Sequence, residues 1–323
     1  MPLDPHAKRL LDMVAAGRSD VSQLSPGAMR DAIRKLAQAV DAKNVPIAES
    51  EDREIPGPAG GIPVRIYTPA STVRGTLPVV VYFHGGTGVF CSIETHEGLC
   101  RILANESGCR VISVGYRLAP EHKFPAAIDD AYAATAWVSA YAEALRVDPK
   151  RLAVAGDSAG ATLAAVVCQQ ATQRMGPDIA LQVLLCPVTD LGLNSSSRRA
   201  FSEGYFFDMA TLDWALGHYL AADTDISDPR LSPLRATDLR HLPPAHIHTA
   251  EFDPFRDDGQ AYATALERAG VPVAYTCHQG LIHHFYCMAG AIPFARVAVK
   301  DIGNSIKAAL QLGDDCSLGS RSG

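Results

Sequence analysis

RLAVAGDSAGATLAAVVCQQA, Arg151 to Ala171, is the stretch whose reading decides the fold. Its first part, RLAVA, is a short apolar run of the kind buried on both faces of a parallel sheet. Its last part, ATLAAVVCQQA, reads as a helix. Between them stands GDSAG, Gly156 to Gly160, a G-x-S-x-G turn in the strand-to-helix context that makes the motif informative. The turn is so tight that side chains two positions either side of Ser158 would clash, which accounts for Gly156 and Gly160. It lifts the Ser158 hydroxyl above the sheet edge. It also leaves the Ala159 N–H at a helix N-terminus, where free amides and the helix dipole favour developing negative charge.

Outward from this turn, β-rich runs alternate with helical stretches. The runs are PVRIYT (63–68), PVVVYFH (78–84), RVISVGY (110–116), RLAVAG (151–156), LQVLLCP (181–187), AHIHTAEF (245–252) and VPVAYTCH (271–278). Helical stretches are read at 96–107, stopped by Gly108, and at 126–145, 159–174 and 258–269. The alternation argues for a parallel sheet covered on both faces. The first 45 or so residues read as two amphipathic helices, the second carrying Met29, Ile33, Leu36 and Val40 at helical spacing. Residues 194–222 break the rhythm. They are longer than a usual connection and rich in aromatics, as lids often are.

Composition excludes several classes. With 47% hydrophobic and 20% charged residues, the chain is not disordered. A net charge of −6 offers no basic footprint for nucleic acid. The opening MPLDPHAKRLLDMVAAGRSD is not expected to be a secretory signal, because charges interrupt any apolar core. No apolar run reaches the ~18 residues of a membrane span. The eight cysteines, Cys91, Cys100, Cys109, Cys168, Cys186, Cys277, Cys287 and Cys316, include no CxxC pair. They read as reduced thiols of a cytoplasmic protein rather than as metal ligands.

A serine hydroxyl needs a base, and the base needs an orienting acid. With this turn the chain order is serine, acid, histidine. Asp253 ends the strand AHIHTAEF, where active sites of parallel sheets gather. Asp257 and Asp258 compete with it but read as first-turn acids of the next helix. His283 and His284 both stand in GLIHHFY, and the residues alone leave the choice between them open. His246 and His248 alternate on a strand but lack a third ligand for a metal. His6, His96, His122, His218, His241 and His278 show no partner pattern. Upstream, HGGTG, His84 to Gly88, follows the strand PVVVYF. Its glycines let backbone N–H groups approach an oxyanion.

These motifs resemble those of the bacterial hormone-sensitive-lipase family of α/β-hydrolase esterases. The match runs over roughly residues 60–309. It rests on YRLAPEHKFPAAIDD (116–130), GDSAG, SPL (232–234), LPPAHIHTAEFDPFRDDG (242–259) and the histidine loop. The resemblance implies an α/β-hydrolase fold, with a mostly parallel eight-stranded sheet flanked by helices and a helical cap. Cap helices would come from residues 1–45 and from the insertion 194–222, and the core from 46–193 and 223–323. The family pattern His-Gly-Phe falls on IHHF, placing the base at His283 and leaving His284 where the family has glycine. It places the acid at Asp253. The family's HGGG is here HGGTG, so the oxyanion hole would use Gly86, Thr87 and Ala159, with Gly85 shaping the loop. Tyr205, Phe206, Phe207, Leu212 and Trp214 are candidates to line the substrate pocket.

The reading is a serine carboxylesterase acting on short- to medium-chain acyl esters, with Ser158, His283 and Asp253 as its triad. It calls for no metal or organic cofactor. A lactonase, amidase or thioesterase would use the same triad. A non-catalytic receptor on this fold would be expected to lack the serine or the histidine. The family also implies dimers through the last strand.

Overall fold

Strands buried on both faces need apolar residues throughout, and the seven apolar runs all lie in one sheet. In the computed structural model the described residues are 1–17, 20–71 and 75–311. Cys316 and the end of the 223–323 segment lie outside them. The strands are β1 (Glu49–Gly57), β2 (Gly60–Thr68), β3 (Leu77–Phe83), β4 (Arg110–Val114), β5 (Val147–Asp157), β6 (Leu181–Leu185), β7 (Ala245–Phe252) and β8 (Val273–Ile282). They are ordered β1-β2-β4-β3-β5-β6-β7-β8. β1 pairs antiparallel with β2, and β2 with β4; all later pairs are parallel.

β1 carries no apolar run. Its sequence is ESEDREIPG and only Ile55 is buried, packed opposite Ile62 of β2. It is a strand because β2 offers it an edge. The helices are α1 (Pro5–Ala16), α2 (Pro26–Val40), α3 (Glu97–Ser107), α4 (Ala126–Ala140), α5 (Ala159–Arg174), α6 (Ser196–Ala200), α7 (Met209–Tyr219), α8 (Arg256–Arg268) and α9 (Pro293–Gln311). α3 stops at Gly108 in the left-handed conformation, as the sequence suggests. α4 ends at Ala140, and a turn rather than more helix carries the chain to Leu145. α9 buries Ala295, Val299, Ile302, Ile306 and Leu310 at helical spacing.

Two apolar clusters cover the sheet. One gathers Ile128, Ala131 and Val138 of α4, Ala164 and Val167 of α5, and Tyr262 and Leu266 of α8. The other gathers Leu99 and Leu103 of α3 and Val299 and Ile302 of α9. A third cluster lies over the C-terminal ends of the parallel strands. It joins Met29 of α2, Val89 and Phe90, Leu212 and Ala215 of α7, and Phe255. Arg30 ties α2 down by donating to the carbonyls of Val89 and Ala119 and pairing with Glu121. Trp214 of α7 donates its indole N–H to the Leu24 carbonyl, linking the two helical segments. No helix among the described residues is long and apolar enough to cross a membrane.

Candidate active site

The turn after β5 obeys the steric argument. A Cβ on Gly156 would sit 2.3 Å from the Gly160 carbonyl oxygen, and one on Gly160 would sit 2.0 Å from that of Phe83. Ser158 itself is held at φ 51°, ψ −119°, a strained backbone conformation for a non-glycine residue. Its N–H donates to Leu185 O on β6 at 2.8 Å, which fixes the turn against the next strand. The hydroxyl reaches His283 Nε2 at 3.2 Å.

His283 enters from the loop after β8, and its Nδ1 lies 2.8 Å from Asp253 Oδ2. A carboxylate oxygen accepts, so Nδ1 carries the proton and the Nε2 lone pair faces Ser158. Asp253 follows β7, and its other oxygen accepts the Phe255 N–H at 2.7 Å. All three residues are buried. Phe207 and Phe255 pack against the His283 ring and keep it in place. Asp257 and Asp258 belong elsewhere. Asp257 accepts from Ser196 and Ser197 at the start of α6. Asp258 forms a buried ion pair with Arg198, and burial lifts its carboxyl to about 6 despite that partner.

The loop after β3 brings His84 to Gly88 alongside the serine turn. The N–H groups of Gly86, Thr87 and Ala159 have no hydrogen-bond acceptor among the described residues. Gly85 sits against the Asp157 carboxylate, which leaves no room for a side chain there. The loop is braced from behind: Tyr116 OH donates to His84 O at 2.6 Å, and His84 Nδ1 donates to Gly85 O at 2.8 Å. Burial, aided by nearby His96, pushes the His84 imidazole down to about 4, so it is neutral near pH 7. Thr87 is at φ 54°, the left-handed region that a β-branched residue rarely adopts. Its hydroxyl donates to Gly86 O.

His284 is close to His283 in sequence but not in role. Its ring stacks on Phe206 and meets His96 edge-on. Burial, with His96 next, pushes it down to about 3. His96, which has no partner pattern in the sequence, is fully buried with Nε2 at 3.1 Å from Asp157, the residue before Ser158. Tyr82 OH donates to the same carboxylate. Burial would raise Asp157, but the His96 charge and hydrogen bond outweigh it and hold the carboxyl at about 2. Among the other histidines, His248 Nδ1 lies 3.2 Å from His278 Nε2, and His246 reaches Ser305.

Two cavities meet at this site. A narrow apolar one, about 50 Å³, is lined by Thr87, Ala159, Val188, Leu212 and Tyr219. A wider one, about 230 Å³, is lined by Ser158, His283, His284, Phe206 and Phe207, with residues of α2. Leu212, Phe206 and Phe207 thus face the cavities. Tyr205 stacks instead on Phe252, and Trp214 packs between Leu24 and His218, so neither lines them.

A family model for the alpha/beta hydrolase fold matches residues 80–287. The carboxylic ester hydrolase LipN of Mycobacterium tuberculosis is 42% identical over 264 residues, covering 80% of this chain and 69% of that protein. An ethyl acetate hydrolase of Pseudomonas putida is 38% identical over 302 residues, covering 90% and 94%. Among solved structures, the ester hydrolase EH1AB1 from the metagenome of Lake Arreo, Spain, superposes with a TM-score of 0.93 at 42% identity. It covers 96% of this chain and all of that one, and was solved with a bipyridine phosphonate derivative. The chain therefore belongs to the alpha/beta hydrolase fold family, among the hormone-sensitive-lipase-like esterases that its motifs resemble.

Proposed function

We propose that this protein is a serine carboxylesterase in which Ser158 is the nucleophile, His283 the base and then the acid, and Asp253 the carboxylate that orients it. The observation that carries this reading is the unbroken relay from Asp253 through His283 to a serine hydroxyl that opens onto a cavity. In the first step Oγ attacks the ester carbonyl while Nε2 takes its proton, and Asp253 stabilises the imidazolium. Negative charge on the carbonyl oxygen is met by the unengaged N–H groups of Gly86, Thr87 and Ala159, with the α5 dipole behind the last. His283 then protonates the departing alcohol. Water, deprotonated by the same histidine, attacks the acyl-enzyme and releases the acid.

This proton transfer also orients the substrate. The leaving oxygen must lie within reach of His283 Nε2, so the alcohol side faces the wider cavity. The acyl side then enters the narrow apolar cleft beside Thr87 and Leu212. A cleft of about 50 Å³ favours short acyl chains over long ones. Helices α1, α2, α6 and α7 act as the cap over the entrance, and we assign substrate selection to them. We also propose that the chain is cytoplasmic, in keeping with its seven described cysteines being free thiols, and that β8, at the sheet edge, pairs two copies into a dimer.

The test is Ser158→Ala, for which kcat on short aryl esters is expected to fall by about 10⁴-fold or more. Labelling of the native chain by a fluorophosphonate, lost in the variant, is expected with it. Hydrolysis by the variant at near the native rate would overturn the assignment of the nucleophile. An unlabelled native chain would place the protein among ligand receptors.

A further inference from the structure

We propose that His284 is a specificity-determining residue that hydrogen-bonds the alcohol part of the ester, and that the preferred alcohols are uncharged and carry a free hydroxyl besides the esterified one. This rests on the esterase reading above and on its placing of the alcohol side in the wider cavity.

His284 lines that cavity together with Ser158 and His283. Its backbone stands at φ 67°, a left-handed conformation that strains a residue with a Cβ. Three aromatic rings fix its side chain. Phe206 stacks face to face on it, with centroids 5.7 Å apart and planes 5° from parallel. His96 and Tyr286 meet it edge-on at 5.6 and 5.2 Å. Yet neither ring nitrogen of His284 has a hydrogen-bond partner among the described residues, and the side chain is only half-buried. A rigidly held imidazole in the cavity wall thus keeps its hydrogen-bonding capacity for a ligand.

The other walls narrow the choice of ligand. Val21, Leu24, Met29, Ile33 and Phe90 make them largely apolar. No Asp, Glu, Lys or Arg side chain lines the cavity, so a charged alcohol would lose its water without gaining a counter-ion. Burial keeps the His284 imidazole neutral near pH 7, with one N–H to donate and one lone pair to accept. A hydroxyl also does both, so it suits either nitrogen in either tautomer. An alcohol without such a group displaces water from the imidazole and returns nothing to it. Thr211 brings a second hydrogen-bonding side chain to the same cavity, and the experiment separates it from His284.

The native chain is given para-(hydroxymethyl)phenyl acetate and para-ethylphenyl acetate in competition, with the meta pair alongside to vary the reach. Within each pair a hydroxyl replaces a methyl group on the leaving group. Competition reads the ratio of kcat/KM values, which does not depend on how much of a variant folds. The native chain is expected to prefer the hydroxymethyl ester in at least one pair. His284→Phe keeps a ring on Phe206 but no nitrogen, and His284→Gly suits the backbone; both should shift the ratio about tenfold toward the ethyl ester. Thr211→Val should leave it unchanged. A native preference for the ethyl ester in both pairs would overturn the proposal. So would a ratio kept in His284→Phe, or one lost in Thr211→Val instead. Ile33→Trp, which narrows the cavity from α2, tests the reading beneath: naphthyl acetate should slow about tenfold more than methyl acetate. If it does while the His284 variants keep the native ratio, the fault lies with His284 alone. If it does not, the alcohol lies elsewhere, and the orientation of the substrate falls together with the role of His284.

Discussion

Two buried aspartate–histidine pairs flank Ser158, and they are alike except at the far side of the imidazole. In Asp253–His283 the contact is 2.8 Å, and the second ring nitrogen faces the serine hydroxyl at the edge of a cavity. In Asp157–His96 it is 3.1 Å, and the second nitrogen meets Thr95 Oγ1, whose own proton goes to Ser92 O. Both nitrogens of His96 are thus occupied by protein neighbours, and neither is left to face a substrate. In the proposed mechanism the first pair moves a proton, whereas the second is enclosed by its own neighbours. Pairing alone therefore says little about chemistry; what the free nitrogen meets decides it.

The largest test of this contrast compares the two aspartates. Asp253→Asn is expected to lower kcat by about 10⁴-fold with little loss of stability, since the amide disturbs the tautomer rather than the packing. Asp157→Asn is expected to do the reverse. It leaves His96 without its buried partner, costing about 3 kcal/mol in urea unfolding, while kcat of the folded fraction stays within about tenfold of native. A 10⁴-fold fall in Asp157→Asn that still unfolds cooperatively would give the second pair a part in the chemistry and erase the distinction.

A smaller effect separates the pairs by pH. The Asp157 carboxyl is held at about 2 against an ordinary 3.8. Its folded-state value is lowered, so its contribution is present in full above about pH 4 and is lost as pH falls through that window. The shift corresponds to about 2 kcal/mol in all, of which about 1 kcal/mol disappears between pH 5 and pH 3. The stability gap between native protein and Asp157→Asn should narrow by that amount when urea unfolding is measured at both pH values. A gap that stays constant would mean that the carboxyl is not held down by His96.

The legible parts of the molecule are those written in consecutive residues. GDSAG between an apolar run and a helix announces itself because the steric demand of the turn is local, and strands buried on both faces must be apolar throughout. β1 escapes such reading because only Ile55 is buried, and its pairing with β2 supplies what its sequence lacks. α9 carries a stripe at 295, 299, 302, 306 and 310 whose helical spacing is local and therefore legible. The second pair was hidden for another reason. Asp157 lies inside a motif usually read for its serine, and its partners Tyr82 and His96 come from β3 and the turn before α3. The insertion is intermediate: its aromatics stand out, but which of them face a cavity depends on short helices. Phe206, Phe207 and Leu212 do so, while Tyr205 turns to Phe252 and Trp214 to Leu24.

The smallest expected effect concerns the loop after β3. Thr87 stands where the resembled family has glycine, at a φ of 54° that costs a β-branched residue about 1–3 kcal/mol. Glycine would relieve that strain but loses the hydroxyl bond to Gly86 O, worth about 1 kcal/mol. It also gains about 0.4–1 kcal/mol of unfolded-state freedom. These terms nearly cancel, so Thr87→Gly should change stability by no more than about 1 kcal/mol. Selectivity is where the change should be read. The side chain borders the narrow cleft assigned to the acyl group, and removing a methyl and a hydroxyl there admits branching next to the carbonyl. Rates on matched aryl esters with straight and α-branched acyl groups should shift by about tenfold in favour of the branched ester. The Thr87 N–H remains, so hydrolysis of the straight ester should be nearly unchanged. An unaltered ratio would place the acyl group outside this cleft, and a matching shift for branched alcohols instead would exchange the roles of the two cavities.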